Sequence, residues 1–181
     1  IDYYLAACAV ELGSDDAEGA LRDFERRHPG SVYANDVRFS LGSYYCAVGN
    51  MPLAREAFER TEYKALSAPR REQYDIRMGY VEFTQGDYAA AYDRFSRMGS
   101  RSEYADHALY YRSYIDYAEG RYDRAKDGFT QLTRSDAYRD LVPFYLLQIE
   151  FRNGNYRYVV DHGEELVRKA VPERQAELER V

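Results

Sequence analysis

Three histidines, two cysteines and several paired carboxylates are the residues of this chain equipped for chemistry. His28 precedes Pro29-Gly30, a turn sequence that places it at the surface. His162 and Glu165, at i and i+3, have the spacing of half a carboxylate-bridged metal site. No second such motif accompanies them, so no metal is expected. Cys8 and Cys46 belong to no CxxC and no Cys/His cluster, which points neither to zinc nor to a disulfide framework. Both fall in helical patterns as small hydrophobes. Asp15/Asp16 and Glu164/Glu165 lie near helix starts or on polar faces, where capping and solvation account for them. The chain holds no phosphate loop, nucleophile elbow or HExxH motif, so neither catalysis nor a cofactor is expected.

The elements that must carry these residues follow from the composition. With 181 residues, 45% apolar and 31% charged, the chain can bury a core of its own. The net charge of -6 argues against an electrostatic grip on nucleic acid. No apolar run reaches the roughly 18 residues of a membrane span, so direct membrane insertion is not expected. Tyr occurs 20 times and Trp not at all; of 25 cations only Lys64, Lys126 and Lys169 are lysines. Arg and Tyr favour stacked, planar contacts. The start at Ile1, without Met or signal peptide, and the end at Val181 inside a helical pattern point to a piece of a longer protein.

A repeat organises the chain. Ala and Phe four residues apart recur as Ala20/Phe24, Ala54/Phe58, Ala91/Phe95 and Ala125/Phe129. Glycines stand five residues before the alanine at Gly49, Gly86 and Gly120, and Gly154 continues the series. Gly42 returns as Gly79, with Cys8 and Ser113 as small equivalents. Asp16, Asn50, Asp87 and Asn155 are placed to cap each second helix, and Arg121 breaks that rule. Pro69 and Pro143 read as helix punctuation, with an extended loop around Ser67-Ala68-Pro69 and Asp140 as the cap before Pro143.

This pattern resembles the tetratricopeptide repeat, a 34-residue helix–turn–helix unit. The resemblance implies an all-α, right-handed superhelix of about five repeats in a single domain: 1–34, 35–68, 72–105, 106–139 and 140–173, with 174–181 opening a truncated further helix. In the fifth repeat Val159 and Gly163 replace the Ala and Phe, which casts doubt on its second helix. The phrasing of segments such as Gly86-Asp87-Tyr88-Ala89-Ala90-Ala91-Tyr92 is similar to tetratricopeptide proteins of the bacterial cell envelope. That resemblance implies a periplasmic or envelope-associated site, with the cytoplasm as the alternative.

In such an array the first helices line an inner groove, and residues at i, i+3, i+7 and i+10 share its face. The groove set is Phe39, Arg77, Tyr80, His107, Tyr110, Tyr111, Tyr114, Phe144 and Gln148. The family's chaperone-tail binders use a clamp of Lys, Asn and Arg. Here Phe39, Ser43, Gln73 and Arg77 hold the corresponding places and only Arg77 fits, so that specificity is rejected. The expected function is a non-enzymatic scaffold that binds a peptide or protein partner, with self-association a further candidate. Two alternatives stay open: a glycan or small-ligand module using the aromatic wall, and a regulatory domain of a larger enzyme.

Overall fold

Helices start and stop where glycine and a capping side chain stand together. The computed structural model describes residues 1–169 other than 13 and 15. Among these it holds ten α-helices, one short 3-10 turn (Tyr63–Ala65) and no strand. The helices are α1 (Asp2–Glu11), α2 (Ala17–Arg27), α3 (Ala34–Ala47), α4 (Met51–Glu59), α5 (Ala68–Thr84), α6 (Tyr88–Ser96), α7 (Ala105–Ala118), α8 (Tyr122–Leu132), α9 (Val142–Arg152) and α10 (Tyr156–Lys169). The helix expected to open at 174 lies outside the described residues. Two compact units divide the chain, Ile1–Met98 with α1 to α6 and Gly99 onward with α7 to α10. In the first, each helix packs on the next and α1, α3 and α5 touch in turn. In the second, α7 packs on α8, α8 on α9 and α9 on α10.

Four hairpins turn in the same way. Gly49, Gly86, Gly120 and Gly154 all have φ near +78°, a conformation open to glycine at little cost. The N–H of the following residue donates to a carbonyl five residues back: Asn50 to Tyr45, Asp87 to Glu82, Arg121 to Asp116 and Asn155 to Glu150, at 2.7–2.9 Å. This closes the first helix with a Schellman motif. The same residue caps the second helix. Asn50, Asp87 and Asn155 each accept from the N–H three residues on. Arg121 makes no such bond; its guanidinium reaches back to Asp116 and Glu119 instead.

The first hairpin differs. Ser14 N–H donates to Ala9 O, so Ser14 closes α1, while Asp16, two residues later, is the N-cap of α2 and makes no side-chain cap bond. Those two extra residues shift α1 relative to the repeat. Ala6, 1% exposed, occupies the small-residue position expected for Cys8, and Cys8 is exposed. Two further corrections concern prolines. Ser67 is the N-cap of α5, so Ala68 and Pro69 form its first turn rather than a loop, and Leu141 replaces Asp140 as N-cap of α9.

The helices of each hairpin cross at one pair of residues. A Cβ on Gly42 would stand 2.5 Å from the Phe58 ring, and one on Gly79 2.8 Å from Phe95. Phe58 fills that space and presses edge-on against Tyr74 of α5, ring centroids 5.2 Å apart. Between α7 and α8 Ser113 replaces the glycine and Gly128 on the facing helix makes the room: a Cβ there would meet Ser113 Oγ at 1.9 Å. Between α9 and α10 the exchange is complete. Leu147 stands where the others have Gly42 or Gly79, and Gly163 stands where they have Phe58 or Phe95. Leu147 is 1% exposed and its Cδ2 approaches Gly163. The volume has changed helices, and α10 forms despite its departure from the Ala and Phe pattern.

This exchange makes a quantitative prediction. Leu147→Gly alone leaves a cavity and costs ~2–5 kcal/mol, and Gly163→Phe alone overpacks the crossing and costs ~1–3 kcal/mol. The double variant restores the α3/α4 arrangement and recovers ~1–3 kcal/mol of the summed loss. Urea unfolding of the four proteins measures it; strictly additive losses would show that this pair does not set the crossing.

Candidate functional site

The first helices of the first unit frame a cleft of about 620 Å³, lined from α1 by Val10, from α3 by Phe39, Ser43 and Tyr44, and from α5 by Arg70, Gln73 and Arg77. Phe39 is 5% exposed and forms the floor. Two guanidiniums lie over its ring, Arg70 at 5.4 Å and Arg77 at 5.8 Å from the centroid. Each such contact contributes on the order of 0.5–2 kcal/mol and holds the cation in place. Arg70 donates to Asp36 Oδ1 at 2.5 Å. Arg77 has a different partner. Its Nη1 donates to Ser43 Oγ, and that hydroxyl spends its own proton on the Phe39 carbonyl at 2.9 Å. Among the described residues Arg77 makes no ion pair. A guanidinium carries five N–H donors, and Arg77 is among the residues that line the cleft.

Cys46 sits half-buried near this cleft on α3. Burial pushes its thiol up to about 11, and the Arg77 charge pulls weakly the other way. The thiol is therefore protonated at neutral pH and a poor nucleophile.

A second feature of the first unit escaped the sequence reading. Glu25 accepts from Arg38 Nε at 2.9 Å and from Arg60, while Arg22 Nε donates to Tyr45 OH at 2.8 Å and Tyr45 OH donates to Glu18. Of these, Arg22, Glu25, Arg38, Tyr45 and Arg60 line a cavity of about 630 Å³ together with Leu41 and Ala57. Spacing along one helix does not reveal it, because its members come from α2, α3 and α4.

In the second unit the expected groove tyrosines meet as an interlocked cluster. Tyr110 stacks on Tyr138 with centroids 4.6 Å apart and planes 14° apart, and its hydroxyl lies 3.2 Å from that of Tyr145. Tyr114 meets Tyr145 edge-on at 5.8 Å, and Tyr145 stacks on Phe129 at 4.8 Å. Tyr117 OH donates to Gln148 Oε1, and His107 Nδ1 shares a hydrogen bond with Tyr138 OH. Tyr110 and Tyr114 are half-buried and pack on the core formed by Ala125, Phe129, Val142 and Ile149. Burial holds the Tyr138 phenol well above its ordinary value.

The nine expected groove residues thus have different surroundings. Phe39 and Arg77 share the cleft of the first unit, and Tyr80 is half-buried on α5. His107, Tyr110, Tyr114 and Gln148 join one aromatic network, while Tyr111 is half-buried beside Tyr110. Phe144 is 9% exposed and packs with Leu147 against Tyr158, Val159 and Leu166, between α9 and α10. Phe39 and Phe144 are therefore core rings, because both positions point between helices. Tyr138 and Tyr145 are the hubs that the helical stripe did not single out; Tyr138 lies in the turn region after α8, where no periodicity marks it. Among the described residues no three His, Cys, Asp or Glu side chains converge as a metal site.

Two measurements follow. Tyr110→Ala should cost ~2–4 kcal/mol of stability, since it removes a ring packed on Phe129, Tyr138 and Tyr145; a loss below ~0.5 kcal/mol would place the ring in solvent. For the thiols, Ellman's reagent at pH 8 should modify exposed Cys8 quickly and Cys46 only after unfolding. The raised thiol value makes the folded state hold its proton longer than the unfolded chain. Its stabilisation is complete below the unfolded value of about 8.5 and declines as pH rises toward about 11. Rapid labelling of Cys46 in the native protein at pH 8 would contradict this.

Comparison of the chain with protein-family models and with curated proteins found no match.

Proposed function

We propose that this chain is a non-enzymatic binding module of tetratricopeptide type that takes an extended peptide segment of a partner protein in the cleft of α1, α3 and α5. The observation that carries the reading is Arg77, a cation stacked on a buried ring, steered by one serine and left with donors that no carboxylate of the described residues occupies. Carbonyls or an acidic side chain of a peptide suit those donors, and charge-assisted hydrogen bonds are the stronger kind. Gln73 and the Tyr44 ring supply a polar and an aromatic contact beside it. The repeated hairpins support a superhelical array, and the envelope-like phrasing of the repeats supports a partner in a bacterial envelope complex. Among the described residues no helix is long and apolar enough to cross a membrane.

The test is selection from a random dodecapeptide library on the 181-residue chain, followed by titration of the enriched peptides against Arg77→Ala. Arginine anchors contribute on the order of 1.5–3 kcal/mol, so affinity should fall about 10- to 150-fold. The substitution also removes the contact with Phe39, a loss on the order of 0.5–2 kcal/mol, so binding is compared at a temperature where melting curves show both proteins folded. No enriched sequence, or peptides that bind Arg77→Ala as well as wild type, would end this reading.

A further inference from the structure

Arg22 and Arg26 stand one turn apart on α2, Arg38 lies on α3, and Arg60 is the C-cap of α4. Because α3 packs on both α2 and α4, the four guanidiniums come together with Glu25 and Glu56 around the cavity of about 630 Å³ in the first unit. Four cations against two carboxylates is a local positive excess in a chain whose net charge is -6. Pro29, Leu41, Leu53 and Ala57 supply the apolar part of the wall. In the chain α1 precedes these three helices and α5 follows them, so the cavity does not lie at an end of the sequence.

The four cations are not equally matched. Arg22 pairs with Glu18 at 2.9 Å and Arg26 with Asp23 at 2.6 Å, each within α2. Arg38 and Arg60 come from different helices and share one carboxylate. Both meet the same oxygen, Glu25 Oε1, Arg38 through Nε at 2.9 Å and Arg60 through Nη2. The Glu25 side chain is only 14% exposed. Glu56 approaches Arg60 no closer than 3.9 Å, between two well-exposed side chains, where an ion pair contributes little. One carboxylate thus holds two guanidiniums close together, and their like charges repel. The Nη1 and Nη2 groups of Arg38 make no hydrogen bond among the described residues. A second anion in the cavity would meet those donors and relieve the repulsion.

We infer that this cavity binds a phosphate monoester with a compact apolar body. A phosphate dianion presents three acceptor oxygens in a tetrahedral arrangement, so arginines of different helices can bond to it at once, and the guanidinium fork matches it two bonds at a time. A carboxylate brings half that charge, and Glu25 already plays its part. Inorganic phosphate would leave the apolar wall unused, whereas the body of an ester covers it. The volume falls within the range of small-ligand sites. No lining residue is shared with the cleft of α1, α3 and α5, so the inference stands apart from the peptide reading of that cleft.

Isothermal titration calorimetry of the 181-residue chain at low salt tests it, at a pH above the second phosphate pKa of about 6. Phenyl phosphate is the probe. It should bind with a Kd of ~0.1–1 mM and weaken as sodium chloride is added. Inorganic phosphate, which lacks the apolar body, and benzoate, which lacks the second charge, should each bind about 10-fold more weakly. Arg38→Gln and Arg60→Gln should each lose about 10-fold or more. Glu25→Gln removes the competing charge while its amide oxygen still accepts from Arg38, and should bind about 3- to 10-fold more tightly, a gain that a purely structural role would not produce. Circular dichroism establishes that each variant is folded before it is titrated. A phosphotyrosyl octapeptide separates the sources of the ester: tighter binding than phenyl phosphate assigns it to a protein, weaker binding to a free small molecule. No binding of phenyl phosphate up to ~10 mM, benzoate binding as tightly, an affinity unchanged by either arginine substitution, or one that Glu25→Gln does not raise would each overturn the inference.

Discussion

The separation of the two helices in each hairpin is fixed by a single pair of side chains, and the rest of the packing takes its register from that distance. Where α3 meets α4 and where α5 meets α6, a glycine lets a phenylalanine ring lie against the backbone of the facing helix. The ring then projects past its own hairpin, as Phe58 does onto Tyr74. The pair Leu147 and Gly163 shows that the constraint concerns summed volume and not residue identity. A core at close-packed density accepts the exchange because neither helix has to move.

Burial of charge follows the same geometry. The position four residues before the turn glycine faces a neighbouring helix and holds Tyr45, Glu82, Asp116 and Glu150. Each polar head there is engaged. Arg94 grips both oxygens of Glu82 at 2.8 Å and reaches Asp75 at 3.3 Å, while Asp75 also accepts from Arg97 and from Tyr63 OH. Lys126 and Asn155 hold the carboxylate of Glu150 below its ordinary value. A buried ion pair gains little over a well-packed apolar pair, yet losing one partner strands a charge. Such pairs therefore fix which second helix a first helix accepts, more than they add to stability.

Local signals in the sequence were legible, and the non-local ones were not. Gly49, Gly86, Gly120 and Gly154, with Asn50, Asp87 and Asn155 behind them, mark turns that are complete within six residues, so the eight helices from α3 to α10 could be placed from them. The register of α1 was missed because two extra residues separate Ser14 from Asp16, which moves the close-packed position from Cys8 to Ala6. The second helix of the last hairpin looked degenerate because its compensation, Leu147, lies on another helix. Nothing local to Arg94 announces Asp75 or Glu82, which meet it from another helix. At the site, the pair Tyr110 and Tyr114 was found by periodicity, but their partners Tyr138 and Tyr145 come from other elements, and they turn a wall into a packed cluster.

Where binding capacity resides is decided by which polar groups already have partners. In the second unit the hydroxyls of Tyr110, Tyr117 and Tyr138 meet Tyr145, Gln148 and His107. A ligand arriving there would have to replace hydrogen bonds that already exist and separate rings that already stack, so its net gain is small. In the cleft of the first unit the Phe39 ring is likewise spent, buried beneath two guanidiniums. The difference lies in Arg77. Its contact with Phe39 fixes the stem, Ser43 fixes one N–H, and the remaining donors are oriented but unspent. Orientation has been supplied by folding, so a ligand that meets those donors does not have to order them. In the proposed reading the same ring and the same charge serve as core and as recognition surface.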